Sequence, residues 1–504
     1  MEIRPDYAAF EAAHARGENQ VLWTQLPADL DTPVSLMLKL TGAAENSFLL
    51  ESVTGGEIKG RYSALGMKPD VIWRCVGDRA SLNRAARYDQ DAFEDDPLPP
   101  LASLRAFQAE SRIDLPPELP PIAAGLFGFF GYDMVRQAER LPYPTGKPDP
   151  LGLPDSLMMR PTVVAVMDAV KDVVTLIAPV WAREGQPARA AYAQAAERLS
   201  DAVAALDRPV PADRALMEAA EIGAPVSNTP VEAYLGMVAK AREYIAAGDI
   251  FQVVLSQRWR LDFPYPPFTF YRALRRTNPS PYMFYFNFGG FQLAGASPEV
   301  LVKVRGGIVT IRPIAGTRRR GENEAEDRAL EAELMADPKE LAEHLMLLDL
   351  GRNDVGRVAK IGTVRPTAEF TVERYSHVMH IVSNVEGELD PSHDALAALL
   401  AGLPAGTVSG APKIRAMQII DELETEKRGP YAGGVGHISS ADDMDMCIAL
   451  RSAVIKDGAL YVQAGGGVVW DSDPEAERME TIHKARAVMR AAEEAARFAR
   501  RGNR

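Results

Sequence analysis

The sequence predicts an α+β fold: a large antiparallel, sandwich-like sheet core with helices packed outside it, organised as two lobes. Short β-rich runs flank tight turns at Gly289-Gly290, Gly306-Gly307 and Asp457-Gly458, and only antiparallel neighbours can be joined so closely. Helical segments come in blocks between groups of strands, which argues against a parallel sheet with one helix after each strand. With 504 residues, 47% of them apolar and 25% charged, the chain has ample material for a core.

The composition excludes several classes. No run of about 18 apolar residues suggests a membrane span, and M-E-I-R-P-D-Y at the start lacks the basic-then-apolar pattern of a secretory signal. Cys75 and Cys447 form no disulfide framework or zinc spacing, which points to a reducing cytoplasm. The net charge of -13 argues against a nucleic-acid partner. The basic clusters, Arg318 to Arg320 and the tail R-F-A-R-R-G-N-R, read as solvated surface.

Taken in order, residues 1 to about 85 carry strand runs, among them 47–53 and 71–76. Residues 91–121 are rich in Pro and Asp and read as a surface excursion with one helix, Leu101 to Glu110. Glycines alternating with aromatics at 124–133 mark a buried strand. Two Val-rich runs after Pro154 read as a hairpin, and Ala188 to Leu206 as an alanine-rich helix. The proline and charge mix of 207–230 reads as a linker, which sets the lobes at 1–215 and 228–495.

The second lobe opens with a helix, Val231 to Ala247, stopped by Gly248, and a long strand, D-I-F-Q-V-V-L-S-Q-R-W. After the diglycine hairpins a helical stretch, 323–354, breaks at Asp337-Pro338, where a second helix starts with Glu340 and Glu343 near its beginning. Residues 370–387 read as one strand, with His377 and His380 on opposite faces. P-A-G-T-V-S-G-A-P-K is a glycine-rich loop, and Arg451 falls in an apolar strand run, where a guanidinium needs a carboxylate partner. Gly465 to Gly467 read as a turn before a helix capped by Asp473 and Pro474. That helix carries Glu477 and Glu480 on one face, with His483 three residues on.

Two E-x-x-E helix starts, about 140 residues apart, offer four carboxylates to a hard cation. The same pairs also read as ordinary capping charges on solvated faces.

So many motifs in one order identify a family. D-I-F-Q-V-V-L-S-Q-R, N-P-S-P-Y-M-F-Y, G-A-S-P-E, R-P-I-A-G-T-R-R-R-G, E-L-A-E-H-L-M-L-L-D-L-G-R-N-D, V-M-H-I-V-S, P-A-G-T-V-S-G-A-P-K, Y-A-G-G-V-G and Q-A-G-G-G-V-V-W-D-S-D-P-E cover about 250 residues and resemble the chorismate-utilising enzymes. The first lobe matches more loosely, through L-L-E-S and G-L-F-G-F-F-G-Y-D. The resemblance implies Mg²⁺ dependence, with Glu343 and Glu480 as metal ligands and Glu340 and Glu477 beside them, direct or through water. It implies that Tyr431, Arg451 and the Gly465, Gly466, Gly467 stretch hold the carboxylates of chorismate, aided by Gly316, Thr317, Thr407 and Lys484. Glu299 is then the acid that protonates the departing 4-hydroxyl, and His380 serves the elimination of pyruvate.

Two positions separate the relatives. Water-adding members are expected to carry a lysine base where this chain has Gln252, and aminodeoxychorismate synthases a lysine where it has Ala315. Both residues favour ammonia as nucleophile and anthranilate as product. No glutamine-hydrolysing module follows Arg504, so the resemblance implies a separate glutamine amidotransferase subunit as partner. It also implies an allosteric tryptophan site at Glu51, Ser52, Pro281, Tyr282 and Met283. A regulator that kept the fold without activity would have lost some of Glu299, Glu343, His380 and Glu480, and all four are present.

Overall fold

The computed structural model describes residues 1–54, 58–141, 147–211, 222–375 and 378–501. Its strands form one continuous antiparallel hydrogen-bonded network, with helices set against it, as the turn chemistry predicts. The predicted helices form where the capping residues lie. Asp337 accepts from the amides of Lys339 and Glu340 at the start of Pro338–Gly356, and Asp473 from Ala476 at the start of Pro474–Arg501. The surface excursion holds the helix Pro100–Glu110, and the alanine-rich helix spans Ala188–Leu206. Part of the linker, 212–221, lies outside the described residues.

Strands from both sides of that linker pair directly. Ser47–Thr54 lies between Ile58–Val76 and, from the second half, Tyr282–Asn287. Gly125–Phe130 lies between Ser156–Asp168 and Gly434–Ser439. Glycines make the second contact possible: a Cβ on Gly125 would stand 2.2 Å from the Ile438 carbonyl oxygen. An aromatic cluster closes the same junction, with Phe48 stacked on Phe127 at 4.3 Å and on Phe286 at 5.4 Å. The apolar core is therefore continuous across the halves.

The site-bearing frame is the pair Gln252–Asp262 and Ala459–Val468, matched from Val253 opposite Val468 to Asp262 opposite Ala459. Three sequence expectations change here. Gly465 to Gly467 are not a turn but the end of this strand, opposite Ser256, Leu255 and Val254. Residues 370–387 are not one strand: Arg365–Arg374 and Val378–Glu388 run antiparallel, with Arg374 opposite Met379. Arg451 is not within a strand but at a bend between Met444–Ile448 and Ser452–Lys456, in the left-handed region at φ 48°. His377 lies outside the described residues. Arg318 to Arg320 are not free surface cations either, since Arg318 pairs with Asp337 and Glu340, Arg319 with Glu326 and Arg320 with Asp327.

Candidate active site

A cavity of about 570 Å³ opens where the two E-x-x-E helices meet the end of the Gln252–Asp262 and Ala459–Val468 pair. Its lining includes Glu299, His380, Gln252, Gly316, Thr317, Thr407, Tyr431, Arg451, Gly465, Gly467 and Lys484, together with Glu340, Glu343, Glu477 and Glu480. Of the residues expected around chorismate and the cation, Gly466 alone is missing from the lining. His483, on the same helix, is exposed and outside it.

The strand glycines keep this volume open. A Cβ on Gly467 would lie 2.6 Å from Gln252 Nε2, and one on Gly465 3.0 Å from the Tyr431 hydroxyl. Gly466 faces the other way, where a Cβ would stand 3.1 Å from Glu477 Oε2. Side chains here would fill the cavity on one face and displace a carboxylate on the other.

Glu299 sits in the deepest part, 6% exposed. Burial pushes its carboxyl up to about 8, and Thr407, Arg451 and Lys484 only partly offset that cost of ionisation. At neutral pH it therefore carries a proton. The Thr407 hydroxyl faces it and favours its ionised form as a hydrogen-bond partner.

His380 is also buried, and burial pushes its imidazole down to about 4. Its Nδ1 lies 3.1 Å from the Gly316 carbonyl and 3.0 Å from Thr317 Oγ1. A carbonyl only accepts, so Nδ1 carries the hydrogen and Nε2 keeps a free lone pair. Gly316 reaches this position at φ +71°, where a Cβ would meet Glu340 Oε2 at 3.1 Å. The chain thus places a protonated acid and a neutral base on one cavity.

The four carboxylates divide by depth. Burial, then repulsion from Glu340, raises Glu343; burial also raises Glu477, followed by repulsion from Glu480. Glu343 meets only the Gln252 amide, at 3.4 Å. Glu477 accepts from Ser472 Oγ at 2.7 Å, while its Oε2 is buried without a partner. Glu340 pairs with Arg318 at 3.3 Å and Glu480 with Lys484 at 2.6 Å. Among the described residues no three acidic, His or Cys side chains form a ready metal cage. A small octahedral cation that takes one or two protein carboxylates and fills its shell with water and substrate oxygens fits this donor set, and the unsatisfied Glu477 oxygen marks where positive charge is wanted.

Burial lowers the Arg451 guanidinium below its ordinary value, and the nearby Glu299 carboxyl offsets only part of that cost. Lys484 donates to the Gly465 carbonyl at 3.1 Å besides pairing with Glu480. Burial lifts the Tyr431 hydroxyl to about 12, so it stays a neutral donor.

Residues 48–490 match the family described as chorismate binding enzyme. The chain belongs to this family. It is 65% identical over 495 residues to the anthranilate synthase component 1 of Cereibacter sphaeroides, covering 98% of this chain and 99% of that one. It is 49% identical over 486 residues to the protein of the same name from Pseudomonas putida, covering 95% and 96%. Among solved structures, anthranilate synthase component I from Streptococcus pneumoniae TIGR4 superposes with a TM-score of 0.75 at 38% identity, covering 85% of this chain and 92% of that one.

Sequence reasoning missed two parts of the site. Lys339 lines the cavity beside Glu340; a cation in the first turn of a helix opposes the macrodipole, and that misfit was the available signal. Behind the cavity Arg428, fully buried, pairs with Glu424 at 2.6 Å and donates to the carbonyls of Val408 and Val254, at 2.6 and 2.7 Å. Val408 and Val254 both line the cavity, so this pair fixes two of its walls. No local pattern announces it, because the partners come from three separate segments.

The expected tryptophan contacts gather where the halves join. Ser52 lies opposite Tyr282 and Glu51 opposite Met283, with Pro281 next in line. The Glu51 carboxylate is held by Arg275 Nε at 2.8 Å and by the Tyr271 hydroxyl at 2.5 Å, and Met283 is buried in the core. Ser52 is half-buried and bonds weakly to the Tyr62 carbonyl at 3.4 Å.

No helix among the described residues is long and apolar enough to cross a membrane.

Proposed function

We propose that the chain is the ammonia-using component of an anthranilate synthase, converting chorismate and ammonia to anthranilate and pyruvate. One observation carries the mechanism: a buried carboxyl that stays protonated and a buried imidazole that stays neutral line one cavity with two pairs of carboxylates. The full-length similarity to anthranilate synthase component 1 supports the choice of product. So do Gln252, which cannot act as a base toward water, and Ala315, which cannot attack covalently.

Chorismate enters with its carboxylates toward Arg451, Tyr431, Lys484 and the Gly465 and Gly467 amide edge, aided by Gly316, Thr317 and Thr407. Glu343 and Glu480, with Glu340 and Glu477 direct or through water, would hold Mg²⁺, which would supply the positive charge that fixes the ring carboxylate and offsets its repulsion by the glutamates. Gln252 stands where the nucleophile approaches. Ammonia forms a bond at C2 while the C4–O bond breaks, and Glu299 gives its proton to the departing oxygen, which leaves as water. The free Nε2 of His380 then takes the proton at C2, the bond from ring C3 to the enolpyruvyl oxygen breaks and the ring becomes aromatic; the departing enolpyruvate takes up a proton at its methylene carbon to become pyruvate, which balances the one lost from C2.

Ammonia comes from glutamine through a separate glutamine amidotransferase subunit, which the motifs of this chain do not supply. Residues 1–215 form a regulatory lobe and 228–495 the catalytic one, with tryptophan acting at Glu51, Ser52, Pro281, Tyr282 and Met283. Strands from both lobes supply these residues, so a ligand there can alter how the lobes meet.

The test is a fluorescence assay for anthranilate from chorismate, ammonia and Mg²⁺, with and without tryptophan. Anthranilate formation that disappears with a chelator supports the reading. Isochorismate or 4-amino-4-deoxychorismate as main product overturns it. Ser52→Phe should abolish inhibition by tryptophan and leave turnover intact; unchanged inhibition rejects the regulatory site.

A further inference from the structure

A second, much smaller cavity, about 30 Å³, adjoins the first behind Glu299. The two share Glu299, Thr407 and Leu347 as a common wall. Its remaining sides are mostly apolar, from Ile311, Pro313 and Gly351 to Ile448, with Arg312 and Asp354 as the charged members. Asp354 is held by Lys413 at 2.7 Å and Arg312 by Glu373, and the polar groups on the shared wall are Glu299 and the Thr407 hydroxyl. That hydroxyl is buried, and Glu299 is the group it faces.

A water molecule needs roughly 10–15 Å³ by this measure and two to four polar partners. The small cavity therefore holds one or two waters and nothing larger. Donating to Glu299 leaves the hydroxyl's two lone pairs unfilled, and a water in this cavity satisfies them.

We propose that this side cavity is a water site that receives the oxygen expelled from the substrate. The inference rests on the reading of Glu299 as the acid. In that step the C4–O bond breaks and its electron pair leaves with oxygen; the Glu299 proton joins that oxygen, making water. The C2–N bond forms, the two ring double bonds shift, and the incoming nitrogen sheds one proton. Chorismate and ammonia thus give the amino intermediate and water, with no further reactant. With the large cavity filled by the ring, a water left beside it competes with ammonia for the same carbon. Moving past Glu299 to Thr407 removes it from that position without displacing the substrate.

The full chain with Gly351→Ala tests this. A Cβ there would lie 3.2 Å from Pro313 Cγ and 3.5 Å from Ile311 Cγ2, both on the wall of the small cavity, so the methyl narrows it. Alanine is also the better helix former, which offsets part of the cost of the tight 3.2 Å contact, so a melting temperature within about 5 °C of wild type is expected. A crystal structure of the wild type should show an ordered water on Thr407 Oγ1, absent from the variant. The variant's kcat should fall about tenfold, the equivalent of one hydrogen bond to a charged group, with KM for chorismate unchanged. A dry cavity in the wild type, or a variant with wild-type kcat, overturns the proposal. Failure of wild-type protein to make anthranilate would instead reject the function, because occupancy of the cavity is read without turnover.

Discussion

Glu299 and Glu480 are the same side chain on one cavity, and depth gives them opposite work. Glu299 is 6% exposed, is raised to about 8 by burial, and keeps its proton at neutral pH. The Glu480 side chain is 49% exposed and bonds to Lys484 at 2.6 Å, as a carboxylate on a wet rim does. Glu343 and Glu477 stand between these extremes, raised by burial yet not fully enclosed. Desolvation sorts the glutamates: the floor holds a proton donor, and the sides and rim hold negative charge for a cation. The cavity can thus run acid chemistry beside a metal site without exchanging their roles.

The strongest test of that contrast is removal of the deep acid. Glu299→Gln should reduce chorismate consumption by about 10³-fold or more, near the upper range for a positioned general acid. Stopped assays for chorismate loss check this, and full anthranilate formation would break the comparison. The same burial sets a pH profile. Turnover at constant free ammonia should fall as pH rises through about 8, where Glu299 loses its proton, and as it drops through about 4, where His380 gains one. Because folding raises Glu299 from 4.5, its contribution to stability is complete below that value and is lost as pH rises through about 8. The glutamine variant should lose less stability than the wild type between those limits.

His380 is the deep base, and its loss should act one step later. His380→Asn should lower anthranilate formation by about 10²-fold while chorismate is still consumed, so that the amino intermediate accumulates. Chromatography of quenched reactions separates the two species. Loss of chorismate consumption equal to that of Glu299→Gln would mean that both residues serve the first step.

The carboxylates on the sides and rim should differ less, and in Mg²⁺ rather than in kcat. Glu343→Gln should raise the Mg²⁺ concentration for half-activation by about 10- to 100-fold, since no cation among the described residues pairs with it directly. Glu480→Gln should shift it less, because Lys484 already competes for that carboxylate. Titration calorimetry with Mg²⁺ gives the same comparison without turnover, and equal shifts would erase the distinction by depth.

Much of this was legible in the sequence, and what was not has a common cause. Caps and breakers are local, so the helix starting at Pro338 and the one at Pro474 were found with both carboxylate pairs. The diglycine hairpins were equally local. Gly465 to Gly467 were misread because a turn and a side-chain-free strand call for the same residue. What distinguishes them is a partner strand about 200 residues earlier and three side chains, Gln252, Tyr431 and Glu477, that occupy the space a Cβ would need. Arg451 lines the cavity but was set in a strand, since nothing in its neighbours' propensities reveals a left-handed bend. The roles within the site came from resemblance, and the depth of each carboxylate became visible only in the fold.

The smallest expected effect concerns how the two depths are held in register. The helix Pro338–Gly356 presents Glu340 and Glu343 to the cavity and His344 away from it; the strand Val378–Glu388 presents His380 to the cavity and carries Ser383. His344 Nε2 and Ser383 Oγ meet at 2.6 Å, both fully buried. Ser383 Oγ also accepts from the Phe370 amide at 3.0 Å, and burial keeps the His344 imidazole neutral. Ser383→Ala leaves a buried nitrogen without its partner and should cost about 1–3 kcal/mol of stability, seen as a lower denaturant midpoint. Because this bond ties the helix of the metal carboxylates to the strand of the base, kcat should fall a few-fold with KM for chorismate unchanged. Threonine keeps the hydroxyl, so Ser383→Thr should recover kcat more fully than stability. If alanine and threonine lowered kcat alike, the bond would serve the core alone and the register of metal helix and base strand would be set by packing.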